Sequence, residues 1–154
     1  IEKIFPPQDF DHIILLAPLL YPRKWNAIRF LFPLVSCFFS SMKRNFSTNS
    51  HDQEFLDFLR TSDSLQSKNL PVDWLLAMVD YQKRFATFPT EVQKLSIIQG
   101  TADKTVDWKY NIRKIEEKFE GSKVYLVDGG MHHLVNESRG YRERVFSLIN
   151  QLLD

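Results

Sequence analysis

The sequence predicts an α/β fold, with three parallel strands, flanking helices and a helical insertion between the first strand and the second. Three observations predict it. The runs His12–Ala17, Leu95–Gln99 and Lys123–Val127 are rich in apolar residues without strict alternation, as in strands buried on both faces. Trp108, Ile112, Ile115 and Phe119 recur at helical spacing and define one apolar stripe. Strand, helix, strand, helix with short connections implies right-handed βαβ units in a parallel sheet.

The first strand is closed by Pro18, and Pro22 breaks the chain again four residues later. From there to about Phe88 the reading is helical with polar breaks. An aromatic-rich helical stretch covers 25–42, a Ser/Thr/Asn loop covers 45–50, and a short helix covers 52–60. Pro71 is expected at the N1 position of a helix over 72–84, where its missing N–H costs nothing. No strand pattern is visible in this middle third. After Pro89 the style changes: a second buried strand ends at Gly100, and Gly121 follows the Trp108 stripe as a helix stop. The third strand runs into Asp128-Gly-Gly130. Val145, Leu148, Ile149 and Leu152 then form the inner face of a C-terminal helix.

Composition bounds the function. A chain of 154 residues, 44% hydrophobic and 25% charged, suits one domain with a real core. Net charge is +1 with Lys and Arg scattered, so no nucleic-acid footprint is expected. Cys37 is the single cysteine, which excludes an internal disulfide and a thiolate zinc cluster and fits a reducing compartment. The run from Phe30 to Phe39 is apolar but interrupted by Pro33 and Ser36, and it is shorter than the roughly 20 residues a bilayer span needs. The chain starts at Ile1 without a secretory pattern, which suits a truncated or processed product. No Gly-rich phosphate loop succeeds a strand. His132 and His133 are adjacent and no helical His-x-x-x-His occurs, so neither metal nor cofactor is expected.

In open α/β sheets chemistry gathers beyond the carboxyl ends of strands. One such end leads into Gly100-Thr-Ala-Asp103, and the next into Asp128-Gly-Gly-Met-His132-His133. Taken singly, Asp103 fits a turn or helix cap, and His132 fits a loop residue in a Gly-rich turn. Placed on consecutive strand ends, they form a carboxylate–imidazole pair. The carboxylate would fix the tautomer so that the other ring nitrogen can take a proton.

These residues resemble the monoacylglycerol lipase and lysophospholipase group of α/β-hydrolases. Gln99-Gly100-Thr-Ala-Asp103-Lys-Thr-Val106 is similar to the group's acid motif. Gly129-Gly-Met-His132-His-Leu134-Val-Asn136-Glu137 is similar to its histidine motif. Phe10-Asp-His-Ile-Ile-Leu-Leu-Ala-Pro18 resembles the strand just after the nucleophile. The resemblance implies that the chain is the C-terminal half of an α/β-hydrolase fold. It divides the chain into a core strand (1–20), a helical cap or lid (21–88) and the C-terminal core with the triad acid and histidine (89–154). Asp103 would be the acid and His132 the general base, with His133 the runner-up. Asn136 and Glu137 would support the site or cap a helix. His12 and His51 match no motif and read as structural or exposed.

One part of the pattern is missing. The nucleophile belongs on a Gly-x-Ser-x-Gly elbow, and no two of Gly100, Gly121, Gly129, Gly130 and Gly140 bracket a serine in that way. The oxyanion-hole loop is absent as well. The expectation is an ester-cleaving parent enzyme, a small-molecule ester or lipid substrate, and a chain that is inactive without the N-terminal half of the same fold. Phe30, Leu31, Leu34, Phe38 and Phe39 make one part of the cap apolar. Trp74 and Met78 on a later helix read the same two ways. They suit either a core helix on the sheet or an acyl-chain pocket with peripheral membrane contact, in a cytoplasmic setting. The competing reading is a non-catalytic hydrolase-like binding or scaffold protein. Against it stands the run Ile13–Ala17, which would be an unprotected apolar sheet edge.

Overall fold

The computed structural model describes residues 10–36, 39–44, 47–92 and 94–153, without the side chains of 32–36 and 92. Its centre is a three-stranded parallel sheet. β1 (Ile13–Leu16) pairs with β5 (Leu95–Gly100), and β5 pairs with β7 (Lys123–Val127), giving the order β1-β5-β7. Every residue of β5 is buried, as the central strand of a sheet covered on both faces should be.

Alternate residues serve different faces. Ile97 joins Leu20, Phe85, Leu95, Ile112 and Ile115 on one side, with Ile13 and Leu15 packed against them. Ile98 joins Ala17, Val127, Leu134 and Val145 on the other, with Ile14, Leu148, Ile149 and Leu152 packed alongside. Helices α3 (Val72–Thr87) and α4 (Trp108–Glu116) supply the first side, and α5 (Arg139–Leu153) supplies the second. The expected stripes on α4 and α5 are thus the faces that close the core. Phe119 departs from the α4 stripe: it lies past the helix in β6 (Phe119–Glu120), paired in parallel with β4 (Glu91–Val92).

The segment between β1 and β4 holds α1 (Trp25–Ser36), α2 (Gln53–Thr61) and α3. It also holds an antiparallel pair, β2 (Ser41–Lys43) with β3 (Asn69–Pro71), where the sequence shows no strand pattern. Accordingly the helix expected over 25–42 stops at Ser36. Three-residue strands are too short to show a period. Pro71 is the N-cap of α3 rather than its N1 residue; its extended backbone completes β3 before the helix turns. Asp52 caps α2 by accepting from the Phe55 amide.

The described part of α1 is mostly exposed. Trp25 anchors its start at 4% exposure, but Phe30 is 84% exposed, and Leu31 and the later Phe39 are exposed too. Leu34 lies outside the described side chains, and Cys37 and Phe38 lie outside the described residues. Trp74 and Met78 are half-buried on α3.

Candidate active site

The two loops that leave β5 and β7 are built to meet. A Cβ at Gly100 would sit 2.3 Å from the Gly130 carbonyl oxygen and 2.5 Å from that of Met131. Only glycine permits that approach. The Ala102 amide donates to the Gly130 carbonyl at 2.9 Å. The Gly129 amide donates to the Thr101 hydroxyl at 2.8 Å, and that hydroxyl donates to Asp128 at 3.1 Å.

This docking brings Asp103 to His132. The His132 Nδ1 lies 2.9 Å from Asp103 Oδ2, with the carboxylate side chain at 0% exposure and the imidazole at 20%. An ionised carboxylate only accepts, so Nδ1 donates this bond, and a neutral ring would then carry its lone pair on Nε2. Among the described residues Nε2 has no hydrogen-bond partner.

The rest of the Asp103 shell is amide. Oδ1 accepts from the backbone of Thr105 at 2.7 Å and Val106 at 3.2 Å, and Oδ2 also accepts from the Gln99 side-chain amide at 3.1 Å. Burial pushes the carboxyl pKa up, but the His132 contact and these amides outweigh it and hold the group below its ordinary value. The acid loop is tied in turn to the chain after β1. Thr105 accepts from the Arg23 amide, and the Asp107 amide donates to Tyr21, each at 3.0 Å. Buried Asn111 on α4 bonds the backbone of Pro18 and Tyr21.

The other singled-out residues divide cleanly. His133 does not meet Asp103. Its amide donates to the Asn49 carbonyl at 3.0 Å and its ring meets Phe55 edge-on. Burial, then the nearby His132 and Arg44 charges, push its pKa down. His12 is structural: Nδ1 donates to the Leu152 carbonyl at 3.0 Å, and Nε2 accepts from Ser96 at 2.9 Å. His51 is structural as well, paired with Glu137 and stacked on Tyr141.

Glu137 is the residue that local sequence undersold. It is fully buried and accepts from the amides of Met131 (2.7 Å), His51 (2.7 Å) and Ser138 (3.1 Å). Burial raises its pKa, but these amides and the His51 ring prevail and hold it low. The motif tail pointed to it. Its partner segment is 86 positions earlier, and no local pattern announces that contact.

The larger of the two described cavities, about 680 Å³, is not at this pair. It lies along β1, lined by residues such as Ile13, Leu15, Leu19, Phe85 and Phe119.

Comparison with known proteins places this geometry in context. No curated protein sequence matches the chain. A monoglyceride lipase from Saccharomyces cerevisiae, crystallised as a soluble variant with a substrate analogue, has a similar fold. The TM-score is 0.74 at 15% identity, over 94% of this chain and 55% of the lipase. The monoacylglycerol lipase of Paleococcus ferrophilus gives 0.73 at 15% identity, over 95% of this chain and 60% of its own. The chain therefore spans little more than half the length of these lipases, and it shares their α/β-hydrolase fold. The family model described as serine aminopeptidase, S33 (Hydrolase_4) matches residues 5–139, and the chain belongs to that family of α/β hydrolases.

Proposed function

We propose that this chain supplies the acid and the base of a serine hydrolase acting on carboxylic esters of lipid-like substrates. The observation that carries the reading is the 2.9 Å contact between buried Asp103 and His132 Nδ1, with Nε2 left unbonded among the described residues. In this reading a serine hydroxyl attacks the ester carbonyl while Nε2 takes its proton. The imidazolium, stabilised by Asp103, gives that proton to the departing alcohol. Water then enters by the same route in reverse and frees the acid.

The serine and the oxyanion donors would come from outside these 154 residues, in an N-terminal part of the same fold. Two features support that arrangement. The chain covers 55% and 60% of the similar lipases, and β1 is a sheet edge among the described residues, with apolar side chains beside it. By itself the chain would turn over no ester. The division into core strand, cap and C-terminal core belongs to the same proposal. So does peripheral membrane contact in a cytoplasmic setting, through the exposed Phe30, Leu31 and Phe39.

An Asp–His pair would serve an amide as well as an ester, and the family description names a peptidase. The exposed apolar surface of α1 favours a lipid ester. The test is a fluorophosphonate carrying an alkyl chain. An activated serine displaces fluoride, forming an O–P bond while His132 accepts the proton. Mass spectrometry of the intact protein is expected to find one phosphonylated serine. His132→Ala should slow labelling by at least about a hundredfold. No adduct on the intact protein, or equal labelling of the variant, would overturn the reading.

A further inference from the structure

The peptide that carries His132 is held from both sides by groups that play no part in the chemistry above. On one side the Met131 amide donates to Glu137 Oε1 at 2.7 Å. On the other the His133 amide donates to the Asn49 carbonyl at 3.0 Å. Both anchors converge on one stretch of chain. The Glu137 carboxylate also accepts from the His51 amide at 2.7 Å and from His51 Nδ1 at 3.1 Å. The Ser50 hydroxyl donates to the Asn136 carbonyl at 2.7 Å. The His51 ring stacks on Tyr141 of α5, with centroids 4.8 Å apart.

A fully buried carboxylate is costly unless its lone pairs are occupied. Here they are occupied by donors from two separate parts of the chain. The carboxylate is therefore satisfied only while segment 49–52 is seated against the histidine loop. When the segment leaves, Glu137 loses the His51 amide, the His51 ring and the Ser50 hydroxyl as donors, and the His133 amide loses its acceptor. The His132 backbone then keeps only its Met131 anchor, on a carboxylate short of donors.

We propose that Glu137 is a positioning residue for His132, and that it makes the placement of the imidazole depend on the docking of segment 49–52. The carboxylate touches no reacting atom. It holds the Gly130–Met131 peptide, one residue before His132, and thereby the angle at which Nδ1 meets Asp103. The kinetic part of this proposal rests on the serine-hydrolase reading; the structural part does not.

The test uses the intact protein and its Glu137→Gln variant, which keeps the shape but turns an amide NH₂ toward backbone donors. The first readout is the solvent-exchange rate of the downfield His132 Nδ1 proton by NMR, identified by its loss in Asp103→Asn. Glu137→Gln is expected to speed that exchange about tenfold or more. His12→Ala, which loosens the opposite end of the sheet, should leave it unchanged. The second readout is ester turnover, where kcat should fall about tenfold to a hundredfold with KM little altered.

Should Glu137→Gln fail to fold, His51→Ala removes only the half-exposed partner ring and is expected to speed the same exchange. Unchanged exchange in a folded variant, or an equal effect from His12→Ala, overturns the proposal. So does failure to find the His132 Nδ1 proton in the parent protein. If the parent hydrolyses no ester, the exchange result still decides the positioning role, and the two failures stay distinct.

Discussion

Three side chains at the site share one electrostatic tendency: Asp103, Glu137 and His133 all have native pKa values below their ordinary ones. For the carboxyls the contribution to stability is complete above the ordinary value of about 4 and is lost as pH falls through the lower native value. His133 takes a proton less readily when folded, so the unfolded chain gains its proton first. Its contribution is complete above about 6.5 and is lost as pH falls below that. Acid should thus weaken the intact protein in two stages. In urea titrations from pH 8 to pH 3, His133→Gln is expected to remove the first stage, and Asp103→Asn to reduce the second. A stability that stays flat across the range, or an unchanged first stage in His133→Gln, would contradict these assignments. At this scale the sequence was legible where motif and chemistry coincide, in Asp103 and His132. It was silent on why Glu137 is buried, because Ser50 and His51 are remote in the chain and carry no pattern of their own.

At the scale of elements, the meeting of the two loops depends on a glycine at the end of β5. Gly100→Ala places a methyl against backbone oxygens that cannot rotate away, so the loops must part. The expected cost is about 1–3 kcal/mol, toward the upper end because no side chain can yield. The variant should also lose the protected His132 Nδ1 proton. Calorimetry and the same NMR signal check it; parent-like values for both would mean that the loops need no such contact. The core elements were legible because packing writes apolar runs and helical stripes into β1, β5, β7, α4 and α5. Burial throughout, which the sequence suggested for all three strands, holds only for β5, while β1 and β7 are half-exposed. The pairs β2–β3 and β4–β6 were not legible. Strands of two or three residues carry no period, and Pro71 looks the same whether it closes a strand or opens a helix. The apolar stretch near Phe30 was legible as unusual but not as exposed, since composition does not say what lies opposite.

For the whole molecule, the arrangement is a sheet with the Asp103–His132 pair beyond the carboxyl ends of β5 and β7 and an open edge at β1 among the described residues. The cavity of about 680 Å³ runs along that edge, away from Asp103 and His132. An apolar edge strand with no charge or proline within it is a surface for pairing, which fits a fold shared across further chain. No described helix is long and apolar enough to cross a membrane; the proposed membrane contact rests on the exposed Phe30 and Leu31 of α1 and on Phe39. The three scales meet at one point: a buried carboxylate, set by two docked loops, fixes the histidine tautomer on which the proposed turnover depends. That dependence is tested most directly by the rate of ester hydrolysis in the intact protein and in its Asp103→Asn variant, which keeps the shape and loses the charge. The expected result is a fall in kcat of about 10⁴, with the fold preserved. Near-parental turnover in the folded variant would contradict the assignment of Asp103 and the pairing on which the proposed function stands.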